Sequence, residues 1–246
     1  MQPEAHFIEV EGQRIAYRKR AGNSPTLLFL PGYASDMDGT KAVALDSFAD
    51  RMGIAIVRFD YSGTGLSEGA FDEGTLDRWL DEADAVLDQL TEGPVILVGS
   101  SMGGWIALHL AIRRPERLQA LVGVAAAPDF TDWGFQQADR EILRRDGRLV
   151  RDNPYGGDSS RTTLAFWKSG QALRLLESEI AIDCPVRLVH GERDDVVPPQ
   201  VALKLMAQLR SADVQTKLIK GGGHRLSEQR EIEAILRCVA ELVESP

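Results

Sequence analysis

The sequence predicts an α/β architecture: a mostly parallel, eight-stranded sheet with helices on both faces and a helical insertion late in the chain. Three observations carry that expectation. From residue 26 onward, short β-branched runs bounded by Gly, Pro or charge alternate with longer stretches of helical period. Strands joined through helices need crossover connections, which makes them parallel. One interval, residues 128–183, breaks the alternation.

Taken in chain order, residues 7–10 and 14–20, joined through Glu11-Gly12-Gln13, predict an antiparallel hairpin that leads into the sheet. Strands follow at residues 26–30, 54–59, 95–99, 120–126, 186–190 and 216–220. The clearest helix covers residues 75–90, where Leu76, Trp79, Leu80, Ala83, Leu87 and Leu90 share a face opposite the acids. Residues 103–112 are apolar around most of a helical girth, so that helix is expected to be buried. Ile232, Ile235, Leu236, Val239 and Leu242 repeat the helical spacing near the end.

The irregular interval holds polar, helix-forming pieces and a loop at residues 152–157, together with Phe130, Trp133, Phe135, Tyr155, Phe166 and Trp167. Long insertions in compact domains are functional or disordered, and six aromatics argue against disorder. We read it as a lid; the plainer alternative is a helical layer that thickens the core.

At 246 residues the chain can bury one sizeable core, and no composition shift divides it, so a single domain with a lid at about 128–183 is expected. Lys and Arg number 28 against 37 Asp and Glu, a net charge of −9, and no basic run tracks a phosphate backbone. Nucleic acid is excluded as a partner on that ground. Cys184 and Cys238 are too few for a disulfide framework and lack metal-ligand neighbours, which fits a reducing compartment. The first residues carry an acid where a secretory signal carries bases, and no apolar run reaches membrane-spanning length. A soluble, cytoplasmic protein is expected, or a mitochondrial-matrix one if a transit peptide has been trimmed.

Two pentapeptides fit the G-x-S-x-G pattern of serine nucleophiles: Gly65-Leu-Ser67-Glu-Gly69 and Gly99-Ser100-Ser101-Met102-Gly103. A nucleophile elbow needs a strand feeding a sharp turn with a helix starting at once. Residues 94–99 supply such a strand before Ser101, and residues 103–112 the helix after it. Ser67 fails the test, because its strand ends near Asp60 and the next helix begins only at about Thr75. Gly63-Thr-Gly65 is no dinucleotide fingerprint either, since Glu68 stands where the third glycine belongs.

A serine hydroxyl is a weak nucleophile, so an orienting acid and a base are expected on loops after later strands. Residues 191–198 offer Asp194 and Asp195, either of which could instead be a turn or helix cap. Of the four histidines, His6 lies in a terminal arm, His109 in the buried helix and His190 at a strand end. Only His224 follows three glycines in a loop, which suits a ring that must reach Ser101. Oxyanion donors are expected from the backbone N–H of Met102 and from that of Tyr33, where Gly32 lets the chain approach closely. This chemistry calls for no metal and no organic cofactor.

With those residues in view, the chain resembles the α/β-hydrolase superfamily over nearly all its length. The resemblance is to the branch with the mitochondrial acyl-glucuronide esterase and palmitoyl-protein thioesterase and its bacterial relatives. The carrying stretches are Leu30-Pro-Gly-Tyr33, Ser35-Asp-Met37, Gly39-Thr-Lys41, Arg58-Phe-Asp-Tyr-Ser-Gly63, the segment from Ile96 to Trp105, and Cys184-Pro185 through His190-Gly191 to Asp194-Asp195 and Pro198. The resemblance implies an α/β-hydrolase fold, a triad of Ser101, Asp194 and His224, and an oxyanion hole at Tyr33 and Met102. It selects Asp194 over Asp195 by spacing, and makes the 60–67 loop a structural turn beside the site. Gly223 departs from the polar residue expected before the histidine.

The implied activity is hydrolysis of a carboxylic ester or thioester through an acyl-enzyme, with a small-molecule substrate and no membrane span. Trp133, Phe135, Phe166 and Trp167 suggest an apolar acyl or aryl pocket. Arg140, Arg144, Arg145, Arg148 and Arg151 would attract an anionic substrate end or form a solvated helix face. Competing expectations are an amidase, a peptidase or a carbon–carbon bond hydrolase on the same fold, and a non-catalytic binding protein that kept the scaffold.

Overall fold

The computed structural model describes residues 2–151 and 160–244. Tyr155 and the loop at residues 152–157 lie outside the described residues. The chain runs β1 (His6–Val10), β2 (Gln13–Arg20), β3 (Asn23–Leu30), α1 (Thr40–Met52), β4 (Ile54–Phe59), α2 (Leu76–Leu90), β5 (Val95–Ser100), α3 (Met102–Arg113) and β6 (Leu118–Val124). It continues through α4 (Phe130–Trp133), α5 (Gln137–Asp146), β7 (Arg148–Arg151), β8 (Ser160–Thr163), α6 (Leu164–Ala172), β9 (Val186–Gly191), α7 (Pro199–Gln208), β10 (Val214–Ile219) and α8 (Gln229–Glu244).

Eight strands form one sheet in the order β1-β2-β4-β3-β5-β6-β9-β10. β2 is antiparallel to both its neighbours, and every pairing from β4 through β10 is parallel. The entry hairpin turns on Glu11 and Gly12, both with positive φ (48° and 76°), the tight two-residue geometry whose twist matches paired strands. Gln13, expected in the turn, already belongs to β2.

Successive side chains of a strand point to opposite faces, and the central strands are apolar on both, as burial by helices on each side demands. Leu28, Leu30 and Leu97 pack with Trp79 of α2 and Trp105 of α3. Leu27, Phe29, Ile96 and Val98 pack with Leu45 of α1 and with Ile235 and Val239 of α8.

Register decides where function can sit. Leu30 pairs with Gly99, Ser100 with Val124, and Ile219 with Gly191, so β3, β5, β6, β9 and β10 all end at one edge of the sheet. The segments that follow them, including Ser101, Asp194 and His224, therefore start from the same rim.

Several boundaries differ from the sequence expectation. β6 stops at Val124, two residues early, because Ala125 takes a left-handed conformation with φ 44°. Two helices, α1 and α7, fill intervals where the alternation calls for helices but where the sequence pattern set no bounds. The interval expected to be helical carries α4, α5 and α6 but also an antiparallel ribbon, β7 paired with β8 from Arg148↔Thr163 to Arg151↔Ser160. Leu149 of that ribbon buries against Phe135 and Leu143, a small local core that explains why a strand forms there.

Candidate active site

Ser101 stands between β5 and α3 with φ 53° and ψ −119°, a conformation that L-residues avoid. The surroundings over-determine it. Its N–H donates to Val124 O at 2.9 Å, and its carbonyl accepts from Gly104 at 2.9 Å and Ala127 at 3.0 Å. The flanking glycines are required sterically: a Cβ on Gly103 would collide with the carbonyls of Leu30 and Pro31, and one on Gly99 with the start of α3. Strand, serine and helix thus pack closely enough to stand the hydroxyl on the rim.

The two later loops are brought together at another pair of glycines. A Cβ on Gly191 would strike the backbone of Gly222, so the β9 loop lies directly on the β10 loop. Across that contact His224 Nδ1 lies 2.9 Å from Asp194 Oδ2, while its Nε2 lies 3.1 Å from Ser101 Oγ. A carboxylate oxygen only accepts, so Nδ1 carries the hydrogen and the Nε2 lone pair is left to accept from the serine hydroxyl.

Asp194 is buried. Burial alone raises a carboxyl pKa, but hydrogen bonds from His190 and His224, the charge of His224 and the Val197 N–H outweigh it and hold the group well below the usual carboxylate range. Its Oδ1 accepts from Val196 N at 3.0 Å and Val197 N at 2.8 Å. Asp195, one residue on, is exposed.

A cavity of about 590 Å³ opens over Ser101 and His224, lined also by Gly32, Tyr33, Phe130, Trp133 and Phe135. The loop after β3 approaches so closely that a Cβ on Gly32 would sit 3.3 Å from Ser101 Cβ. Met102 opens α3, and the N–H groups of a first helical turn lack intrahelical partners. Tyr33 is anchored by its ring against Phe166 and Phe71, at centroid distances of 4.8 and 5.1 Å. Its hydroxyl donates to the Arg161 carbonyl in β8, and burial pushes the phenol up to about 12.

Residues 27–236 match the family described as the alpha/beta hydrolase family. The chain belongs to the alpha/beta hydrolase family. Human palmitoyl-protein thioesterase ABHD10, mitochondrial, is 39% identical over 234 residues, covering 94% of this chain and 76% of that protein. Pimeloyl-[acyl-carrier protein] methyl ester esterase from Nitrosospira multiformis is 26% identical, covering 87% of this chain and 92% of that one. Among solved structures, alpha/beta hydrolase domain-containing protein 10 from mouse superposes with a TM-score of 0.92 at 37% identity, over 98% of both chains. This alpha/beta hydrolase is thus a hydrolase with relatives named for ester and thioester cleavage.

The other expected residues fall as follows. In this hydrolase Ser67 is a structural residue: its Oγ donates to Asp60 O at 2.7 Å and accepts from Ala16 N at 2.8 Å. His109 bonds the Leu173 carbonyl at 2.8 Å. Trp133 and Phe135 line the cavity, but Phe166 and Trp167 do not. Phe166 is buried against Tyr33, Trp79 and Phe130, and Trp167 Nε1 donates to Thr131 O. Phe130, unassigned from sequence, takes their place in the lining. Of the arginine row, Arg151 reaches the cavity, Arg140 pairs with Asp132, Arg145 with Asp146, and exposed Arg144 stacks over Trp167. Among the described residues no helix is long and apolar enough to cross a membrane.

One residue at the site was passed over in the sequence. His190, fully buried at the end of β9, places Nε2 3.2 Å from Asp194 Oδ2. Its signal is a polar ring near the end of a buried strand, four residues before Asp194.

Proposed function

We propose that this alpha/beta hydrolase cleaves carboxylic esters or thioesters through an acyl-enzyme on Ser101. His224 takes the serine proton as the hydroxyl attacks, and Asp194 orients the ring and stabilises the imidazolium. The N–H groups of Met102 and Tyr33 donate to the developing oxyanion. His224 then protonates the leaving group, and water repeats the cycle to release the acid.

The observation that supports this most is the unbroken hydrogen-bonded line from Asp194 through His224 to a strained, cavity-facing serine. The apolar walls at Phe130, Trp133 and Phe135 suit an acyl or aryl group, and the segment from α4 to α6 that carries them serves as the lid. A reducing compartment, cytosol or mitochondrial matrix, suits the two free thiols.

Ser101→Ala tests the reading. Turnover of p-nitrophenyl esters and of an acyl-CoA should fall on the order of 10⁴-fold or more with folding intact. A fluorophosphonate probe should label the parent and not the variant. Parent-like activity in the variant refutes the assignment.

A further inference from the structure

Asp194 is held from two sides, and the proposed mechanism uses only one of them. Its Oδ2 faces His224 Nδ1 at 2.9 Å and His190 Nε2 at 3.2 Å, while Oδ1 is occupied by the N–H groups of Val196 and Val197. His190 Nε2 also lies 2.9 Å from the Val197 carbonyl. Both neighbours of that nitrogen are oxygens that can only accept, so Nε2 must carry a hydrogen. The Val197 carbonyl thereby fixes the tautomer, and the same N–H is shared with the carboxylate.

We infer that His190 is a positioning residue: its Nε2–H donor, meeting the same Oδ2 as His224, pins the Asp194 carboxylate in the orientation that aligns the His224 ring. This inference rests on the proposed roles of Ser101, His224 and Asp194. Its geometric basis is the carboxylate's own limits. With Oδ1 anchored by backbone, the remaining freedom is a swing of Oδ2, and a second buried donor at Oδ2 removes it. His190 itself has little room to move, being 1% exposed at the end of a paired strand. It never approaches the substrate cavity, so it acts only through Asp194.

The test compares His190→Phe, which fills the ring volume without a donor, with His190→Gln, which returns an amide N–H. For the Phe variant kcat should fall about 10- to 100-fold, the worth of one hydrogen bond to a charged group. KM should stay within about twofold, since no substrate contact is removed. The Gln variant should recover most of kcat. In an Asp194→Asn background the Phe substitution should cost nothing further, because the two residues act as one unit.

A second readout needs no variant. In the parent, nitrogen-15 NMR of the His190 ring should show a hydrogen on Nε2, with a through-bond coupling to a carboxylate acceptor. An Nε2 that carries no hydrogen, parent-like kcat in a folded Phe variant, or an additive loss in the Asn background overturns the inference. If the Phe variant does not fold, the NMR result decides alone. A parent that hydrolyses no ester and resists the fluorophosphonate probe would instead overturn the proposed function, leaving the His190 tautomer measurable on its own.

Discussion

Adding one methyl group at Gly103 should disable the enzyme from outside its reacting groups. A Cβ there meets the Leu30 carbonyl oxygen and lies 2.5 Å from the Pro31 carbonyl oxygen, where ordinary contact begins at 3.4 Å. The obstacles are backbone, so no side chain can rotate away. The end of β3 and the start of α3 must separate by roughly an ångström, the usual remedy for overpacking, at about 3 kcal/mol, the upper end of its ordinary cost. For a chain of this size that is about 6–12 °C in Tm. Pro31 leads directly into Gly32 and Tyr33, so the displacement is delivered to a proposed oxyanion donor on one side and to Ser101 on the other. A misplacement of about 1 Å costs on the order of 10²-fold in rate. Gly103→Ala should therefore lose about two decades of kcat in a p-nitrophenyl ester assay and melt earlier by calorimetry. Gly223→Ala is the control for stability, because nothing lies within 4 Å of its added Cβ, and its Tm should match the parent's. A Gly103→Ala enzyme with parent-like kcat and Tm would falsify the steric account of the elbow.

Four further outcomes follow from the same geometry. Ser101→Gly should be inactive yet more stable than Ser101→Ala by about 1 kcal/mol or more in urea unfolding, because only glycine relieves the positive φ. Tyr33→Phe removes the hydroxyl that ties the loop after β3 to β8, and should raise KM for long acyl esters about fivefold with a smaller effect on acetyl esters. Asp194→Asn should lower kcat about 10³- to 10⁴-fold. The parent carboxyl is depressed, so its stabilisation is present above the unfolded value of about 3.9 and is lost as pH falls toward the lower folded value; the parent's advantage over the Asn variant in urea midpoints should shrink below about pH 4. Lys41 gives the same sign at higher pH: burial, with repulsion from Arg225, lowers it from 10.5 to about 8. The unfolded chain then binds more protons between those values, so parent stability relative to Lys41→Met should rise from pH 8 to 10.5.

What the sequence disclosed tracks how locally each feature is determined. The central strands were legible because burial on both faces makes them continuous apolar runs, and β4 was predicted at its observed bounds. α1 was implied by the alternation but its bounds were not legible, because its buried set mixes Ala42, Leu45, Phe48 and Ala49 with Asp46, whose carboxylate pairs with Arg20 and faces Arg58 from other strands. No local pattern announces a partner so distant in the chain. Ser101 was legible since strand, turn and helix are contiguous there. The choice between Asp194 and Asp195 came from resemblance, yet a physical signal was present. The observed carboxylate accepts from the second and third N–H groups after it, at Val196 and Val197. Asp195 could not repeat that pattern, because its third position is Pro198, which has no N–H. His190 stayed hidden since its role depends on a fold-back of the β9 loop, and Phe130 displaced Phe166 from the cavity because a helix face cannot be oriented without its tertiary neighbours.

The duplicated pentapeptide shows what the pattern means physically. Both copies place a serine in a turn made possible by glycine: Gly65 has φ 49° and Gly69 has φ 102°. At Ser67 the turn serves the hydroxyl's own satisfaction, with a backbone acceptor and a backbone donor both engaged. Its turn instead completes a brace, in which Asp60 accepts from Leu66 and from Met37 while Arg58 donates to the Met37 carbonyl, holding the segment between Tyr33 and α1. Ser101 is the reverse case: its backbone is satisfied on every side, its conformation is strained, and its hydroxyl meets an imidazole and a cavity. The proposed nucleophile is thus distinguished less by its pentapeptide than by where its hydrogen-bonding capacity goes, and in this chain a serine bound to backbone props the loop beside the one bound to an imidazole.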